Sequence, residues 1–223
     1  MGVIVSKHRA SSSMELARAY KIETERLVIR CYKPTDAPKI QEAITQSLDH
    51  LLPWMPWAKN EPESLDAKIS RLRLFRGQFD LGQDYVFGIF NKSETELIGS
   101  TGLHTDVGKN AREIGYWINV KFIGQGFATE AVTALTKVGF EIEHLERIEI
   151  RCAPDNVRSQ SIPRKLGYKL EATLKNRIKD TSGNFRDVMI WTMFKSDYET
   201  SPIRELDLKA FDIMGRTISF DIA

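Results

Sequence analysis

The chain has 223 residues, of which 42% are hydrophobic, and its 32 basic and 30 acidic side chains leave a net charge of +2. That length supports one well-buried core and is too short for two ordinary domains with a linker, while the near-neutral balance offers little to a nucleic-acid backbone or an anionic membrane. No apolar run approaches the roughly 20 residues of a membrane span, no secretory leader is visible, and Cys31 and Cys152 lack metal-ligand spacing, so a cytoplasmic protein with buried free thiols is expected.

Residues 1–21 read as an N-terminal extension in which 14–20 has the pattern of a short serine-capped helix. Residues 25–31 alternate polar with apolar as a first strand, and 34–36 supply a turn and cap for a helix reaching about Ser47. Residues 51–57 set Trp54 and Trp57 beside Pro53 and Pro56 in a stiff aromatic loop, after which Ser64 caps a helix through Phe79. Strands follow at 85–90, 96–104 and 111–120 as an antiparallel meander, then a helix at 129–143 and a strand at 147–152. A short helix at 159–166 ends on Gly167, and strands at 170–174 and 187–193 flank a turn at 182–184. Residues 199–223 remain too apolar for a disordered tail and should pack on the domain or on a partner subunit, as in a homodimer. The order is mixed α/β with a mostly antiparallel sheet.

The junction after the third meander strand carries the clearest chemistry. Gly124-Gln-Gly126 leads from an apolar strand into a helix, and the first amides of a helix lack intrahelical partners. A phosphate oxygen suits such a site, and glycines let the backbone approach it closely. A nucleoside-triphosphate loop would need Lys and Ser/Thr after its last glycine, where Phe127 and Ala128 stand; a dinucleotide fingerprint would need a third glycine at Thr129. An ordinary strand-to-helix turn is the plainer alternative.

Glu113-Ile-Gly-Tyr-Trp-Ile118, Gly124-Gln-Gly-Phe-Ala-Thr-Glu-Ala131, Arg151-Cys-Ala-Pro-Asp-Asn156, Ser159 and Lys165-Leu-Gly-Tyr168 resemble, in order and spacing, the GNAT acyl-CoA acetyltransferases. The likeness is to their RimJ/RimL branch, which acetylates protein N-termini and related amines, and it runs over about residues 22–198. The resemblance implies a central twisted, mostly antiparallel sheet flanked by helices, with acetyl-CoA as cofactor. It also implies that the pantetheine arm lies along the main chain of Ile118, Asn119 and Val120, and that the amides of Gln125, Gly126, Phe127, Ala128 and Thr129 hold the pyrophosphate. The sequence departs from the family loop at Ile123, where a basic or amide side chain is usual.

By the same resemblance Asn156 contacts the cofactor and Ser159 protonates the departing thiolate, although each could equally cap a helix. Glu113 is the first candidate for the base that deprotonates the amine, with His104 second; a salt-bridged carboxylate and a structural histidine are the plainer roles. Tyr168 reads as a packed core tyrosine. Trp54 and Trp57 resemble the aromatic wall of the acceptor pocket, with core packing as the competing role. No metal is expected. The resulting expectation is an N-acetyltransferase acting by direct transfer to an amine-bearing peptide or small molecule; a non-catalytic acyl-CoA-binding module is the alternative, and a nicotinamide oxidoreductase a distant third.

Overall fold

The computed structural model describes residues 18–220, so most of the predicted helix at 14–20 lies outside it. β1 (Lys21–Glu23) and β2 (Leu27–Cys31) pair as a hairpin. α1 (Ala37–Leu51) runs a turn past its expected end, because Ile40, Ala43, Ile44, Ser47 and Leu51 continue one buried stripe. α2 (Leu65–Asp80) starts as predicted at Ser64, whose hydroxyl accepts from the Ala67 amide at 3.2 Å. β3 (Tyr85–Asn91), β4 (Leu97–His104) and β5 (Ala111–Ile118) form the meander. α3 (Phe127–Glu141), β6 (Arg147–Cys152) and α4 (Val157–Leu166) follow, and α4 ends on Gly167 at a φ of 85°. β7 (Lys169–Lys179) and β8 (Phe185–Phe194) make a longer hairpin than their apolar stretches suggested.

All strands join one 10-stranded sheet in the order β10-β9-β1-β2-β3-β4-β5-β6-β8-β7, where β9 (Lys209–Phe211) and β10 (Thr217–Ile218) come from the C-terminal segment. Among the described residues only β5 and β6 are parallel, and α3 is their crossover. Alternation divides the core. Tyr85, Phe87 and Ile89 of β3 face the main cluster with Ala131, Leu135 and Val138 of α3, whereas Val86 and Phe90 face a second cluster with Ile40, Ile44 and Leu72 of α1 and α2. No helix among the described residues is long and apolar enough to cross a membrane.

The C-terminal segment is folded onto its own chain. β9 pairs with β1, and Ile203, Leu208 and Ala210 are buried in the main cluster. Ile203→Ala is expected to lower the free energy of unfolding by about 3 kcal/mol, read from urea denaturation; a change under ~1 kcal/mol would mean that the segment is peripheral.

One irregularity in the sheet opens the site. β5 and β6 pair only from Ala111 to Glu113 against Arg147 to Glu149. Beyond that rung β5 continues to Ile118 and β6 to Cys152 without meeting, and a gap opens in the sheet.

Candidate active site

The gap leads into a cavity of about 910 Å³ lined from both faces of the sheet. Val86, His104 and Trp117 stand on the α1/α2 side, while Ile114, Tyr116 and Ser159 stand on the α3/α4 side. The cavity is therefore a passage through the sheet. Trp54, Trp57, His104, Glu113, Asn156 and Ser159 all line it. A second hollow, about 840 Å³, lies between the β1–β2 bend and the C-terminal segment and contains none of these six.

The glycine loop follows the end of β5. Gly124 and Gly126 take φ values of 76° and 83°, in the left-handed region that side chains resist. Gly126 is the N-cap of α3, and the first intrahelical bond is Glu130 N–H to the Gly126 carbonyl at 3.0 Å, which leaves the amides of Phe127, Ala128 and Thr129 without intrahelical acceptors. Gly124, Gln125 and Gly126 are exposed. A Cβ on Gly124 would meet no atom within 4 Å, so the space in front of the loop is open to a ligand. These features fit a phosphate group. Ile123 packs its side chain against the main core, which accounts for an apolar residue at the family's polar position.

The main chain before the loop departs from expectation. The Asn119 amide donates to the Ile98 carbonyl at 2.8 Å, and the Val120 amide to the Ser47 hydroxyl at 2.9 Å, so neither is free for a pantetheine arm. The Asn119 side chain is also committed, capping a 3-10 turn at Val120–Phe122 through the Lys121 amide. Ile118 still pairs with Gly99 on its β4 side. The open strand edge lies earlier, where β5 has left β6, between Ile114 and Ile118.

Glu113 and His104 are direct cross-strand partners, so their side chains share one face. Burial pushes the Glu113 carboxyl up, against the opposing charges of Arg151 and His104. Arg151 Nε stands 3.4 Å from Glu113, while its Nη2 reaches Glu149 at 2.9 Å. His104 Nδ1 meets Asp84 at 3.0 Å, a contact not anticipated from the sequence. Burial disfavours the imidazolium, but the Asp84 hydrogen bond, with the charges of Asp84, Glu113 and Asp106, outweighs it and raises the pKa. With Nδ1 on the carboxylate, Nε2 is the ring nitrogen left to exchange protons. The ring lies over the cross-strand pair Gly102 and Gly115, where a Cβ would come within 2.7 Å and 3.1 Å of Nε2 respectively.

On the other side of the gap Ser159 Oγ is 3.0 Å from the Tyr116 hydroxyl, which also donates to the Ser159 carbonyl at 3.1 Å. Tyr116 thus bridges β5 to α4 across the opening, and burial raises its pKa. Asn156 caps α4, its Oδ1 accepting from the Ser159 amide at 3.1 Å, and this leaves Nδ2 for any ligand contact. Cys152 lines the cavity too, its thiol pushed up by burial. Tyr168 lies in the core, with its hydroxyl 2.7 Å from Thr136 Oγ1.

The aromatic end is closed by a residue from the far hairpin. Arg186 donates to the Pro53 carbonyl at 2.7 Å, pairs with Asp155, and sits 4.9 Å over the Trp54 ring. Trp57 lines the cavity and packs on the second cluster, 6.2 Å from Trp117. Lys68, buried at 1% exposure, is held by Glu61 and by Glu63 at 3.0 Å. Among the described residues no group of acidic, histidine and cysteine side chains could hold a metal ion.

The Asp84–His104 contact makes a direct prediction. In Asp84→Asn the His104 pKa, followed by NMR of the ring protons, is expected to fall below its value in the unaltered protein, since burial then meets less opposition. Glu113→Gln should lower it by a smaller amount. An unchanged titration in both variants would separate His104 from these carboxylates.

Comparison with known proteins agrees with this geometry. Residues 26–169 match the acetyltransferase (GNAT) domain. The chain is 27% identical over 183 residues to the ribosomal protein uS5-alanine N-acetyltransferase of Escherichia coli (strain K12), covering 80% of this chain and 92% of that protein. It is 31% identical over 127 residues to the ribosomal-protein-serine acetyltransferase of the same strain, covering 55% and 69%. Two solved structures share the fold. RimL, the ribosomal L7/L12 alpha-N-protein acetyltransferase in complex with coenzyme A, superposes with a TM-score of 0.71 at 20% identity over 78% of this chain and 97% of that one. The microcin C7 self-immunity acetyltransferase MccE, in complex with acetyl-CoA and AMP, superposes with a TM-score of 0.69 at 20% identity over 77% and 93%. With the family match spanning the glycine loop, both central strands and α4, the chain belongs to the GNAT acetyltransferase family.

Proposed function

We propose that this protein is an acetyl-CoA-dependent N-acetyltransferase that acetylates a primary amine, with a protein N-terminal α-amine as the leading acceptor, by direct transfer in a ternary complex. The passage through the sheet carries this reading: the route from the glycine-loop side leads to titratable groups and then to an aromatic wall. The names of the two Escherichia coli relatives support a ribosomal-protein acceptor.

The amides of Phe127, Ala128 and Thr129 would hold the pyrophosphate, and the open edge of β5 the pantetheine arm. When bound, acetyl-CoA supplies the acetyl group as a thioester. An α-amine titrates near ~8, so at neutral pH it must lose a proton before it can attack. Glu113 is the first base in this scheme, acting directly or through a water, and burial raises its pKa and so strengthens it as a proton acceptor. His104, seated by Asp84, is the second. The Ser159 hydroxyl would protonate the departing thiolate, and Tyr116, which burial keeps protonated, would hold that hydroxyl in place through its own O–H group. Trp54 and Trp57 would flank the acceptor.

The reaction is tested by incubating the protein with acetyl-CoA and a panel of peptides and polyamines. Thiol release together with one acetyl on a peptide α-amine is expected; coenzyme A binding without thiol release from any acceptor would favour the non-catalytic module. The base must be unprotonated, so activity falls as pH drops through its raised pKa. Glu113→Gln is expected to lower turnover by about a hundredfold and to flatten this acid limb. Normal turnover with the limb moved to lower pH would assign the proton to His104, whose imidazolium Glu113 helps to hold. Trp54→Ala should raise the KM of the acceptor by about tenfold with little change in that of acetyl-CoA, and equal effects on both would remove Trp54 from the acceptor site.

A further inference from the structure

Arg26 stands in the bend between β1 and β2, yet its guanidinium closes over the start of α3. Nη1 donates to the Gln125 carbonyl at 3.0 Å, and Nε and Nη2 reach Glu130 Oε2 at 2.7 Å and 2.6 Å. Its Cζ lies 4.4 Å from the centroid of the Phe127 ring. Glu130 Oε1 accepts from the Thr24 hydroxyl at 2.6 Å and from the Arg26 amide at 3.1 Å. A single side chain thus contacts the residue before the N-cap and the first and fourth residues of the helix.

Two physical consequences follow for the loop. In a trans peptide the carbonyl and the following N–H point in opposite directions, so anchoring the Gln125 carbonyl on Arg26 turns the Gly126 N–H away from Arg26. A carboxylate in the first turn of a helix is drawn to the helix's own positive end, where it would compete with a phosphate and repel it. Glu130 is instead neutralised by Arg26 and engaged by Thr24. The loop has no cation at Ile123, whose side chain is packed into the core. The positive charge beside it comes from the β1–β2 bend.

We propose that Arg26 and Glu130 are positioning residues of the cofactor loop: the pair fixes the Gln125–Gly126 peptide and shields the entering phosphates from the nearest carboxylate. This rests on the acetyl-CoA reading above. Its signature is selectivity for the phosphorylated end of the ligand, because the pair touches the loop and no part of the passage.

The test is calorimetry on the full chain with coenzyme A and with pantetheine, which lacks the phosphates. Arg26→Met is expected to weaken coenzyme A by about tenfold or more and to leave pantetheine nearly unchanged. Arg26→Met combined with Glu130→Gln should recover the part of the loss that comes from the unpaired carboxylate, and Arg26→Lys, which keeps the charge without the fork, should fall between wild type and Arg26→Met. Unchanged coenzyme A affinity in folded Arg26→Met, or equal losses for both ligands, would overturn the proposal. Wild-type protein that binds neither ligand would overturn the acetyl-CoA reading itself. Should Arg26→Met fail to fold, Glu130→Gln carries the test: coenzyme A affinity should hold or rise, and a tenfold loss would overturn the pairing.

Discussion

The last rung that β5 and β6 share places two carboxylates, Glu113 and Glu149, opposite each other in a parallel pair. Like charges in that position oppose pairing, and the rung is held by arginines: Arg151 between the two carboxylates, and Arg147 on Glu149 at 3.0 Å. Past this point the strands part, and a sheet that is otherwise continuous acquires a hole. The candidate base sits at the fulcrum because its strand diverges there. Its raised pKa comes mainly from burial, to which the neighbouring carboxylates of Asp106 and Glu149 add smaller contributions.

A sheet with a hole can keep two ligands on opposite sides while letting their reactive ends meet. Here the α3/α4 side carries the glycine loop and the Tyr116–Ser159 bridge, and the α1/α2 side carries Trp57 and Trp117. Arg186 ties the β7–β8 hairpin to the aromatic loop, so two distant segments together close the second side. The division of labour follows from topology, because the crossover helix α3 must lie on one face once β5 and β6 run parallel.

Much of this was legible in the sequence because it is periodic or local. The meander, the helix after the glycine loop and the capping serine at Ser64 all follow from alternation, helical spacing and cap chemistry. His104 and Glu113 could be named because both end up on adjacent strands. What escaped depends on contacts between distant segments. Asp84 lies 20 residues from His104, in a turn with no motif of its own. Arg26 is 104 residues from Glu130. The insertion of β8 between β6 and β7, and of the C-terminal strands beside β1, is decided by which sheet edges remain open. Asn119 and Val120 were placed as ligand contacts from their position in a motif, but tertiary hydrogen bonds had already claimed their amides.

Strand glycines usually count as weak points, having no side chain to pack and excess freedom to lose. Gly102 and Gly115 invert that rule. They face each other across β4 and β5, and the imidazole of His104 occupies the volume their side chains would have filled. An added methyl on Gly102 would also come within 3.0 Å of the Tyr85 carbonyl. Replacing either of these two glycines with a better β-former would therefore push against His104 in its seat. At these two positions a larger side chain and the imidazole compete for the same space.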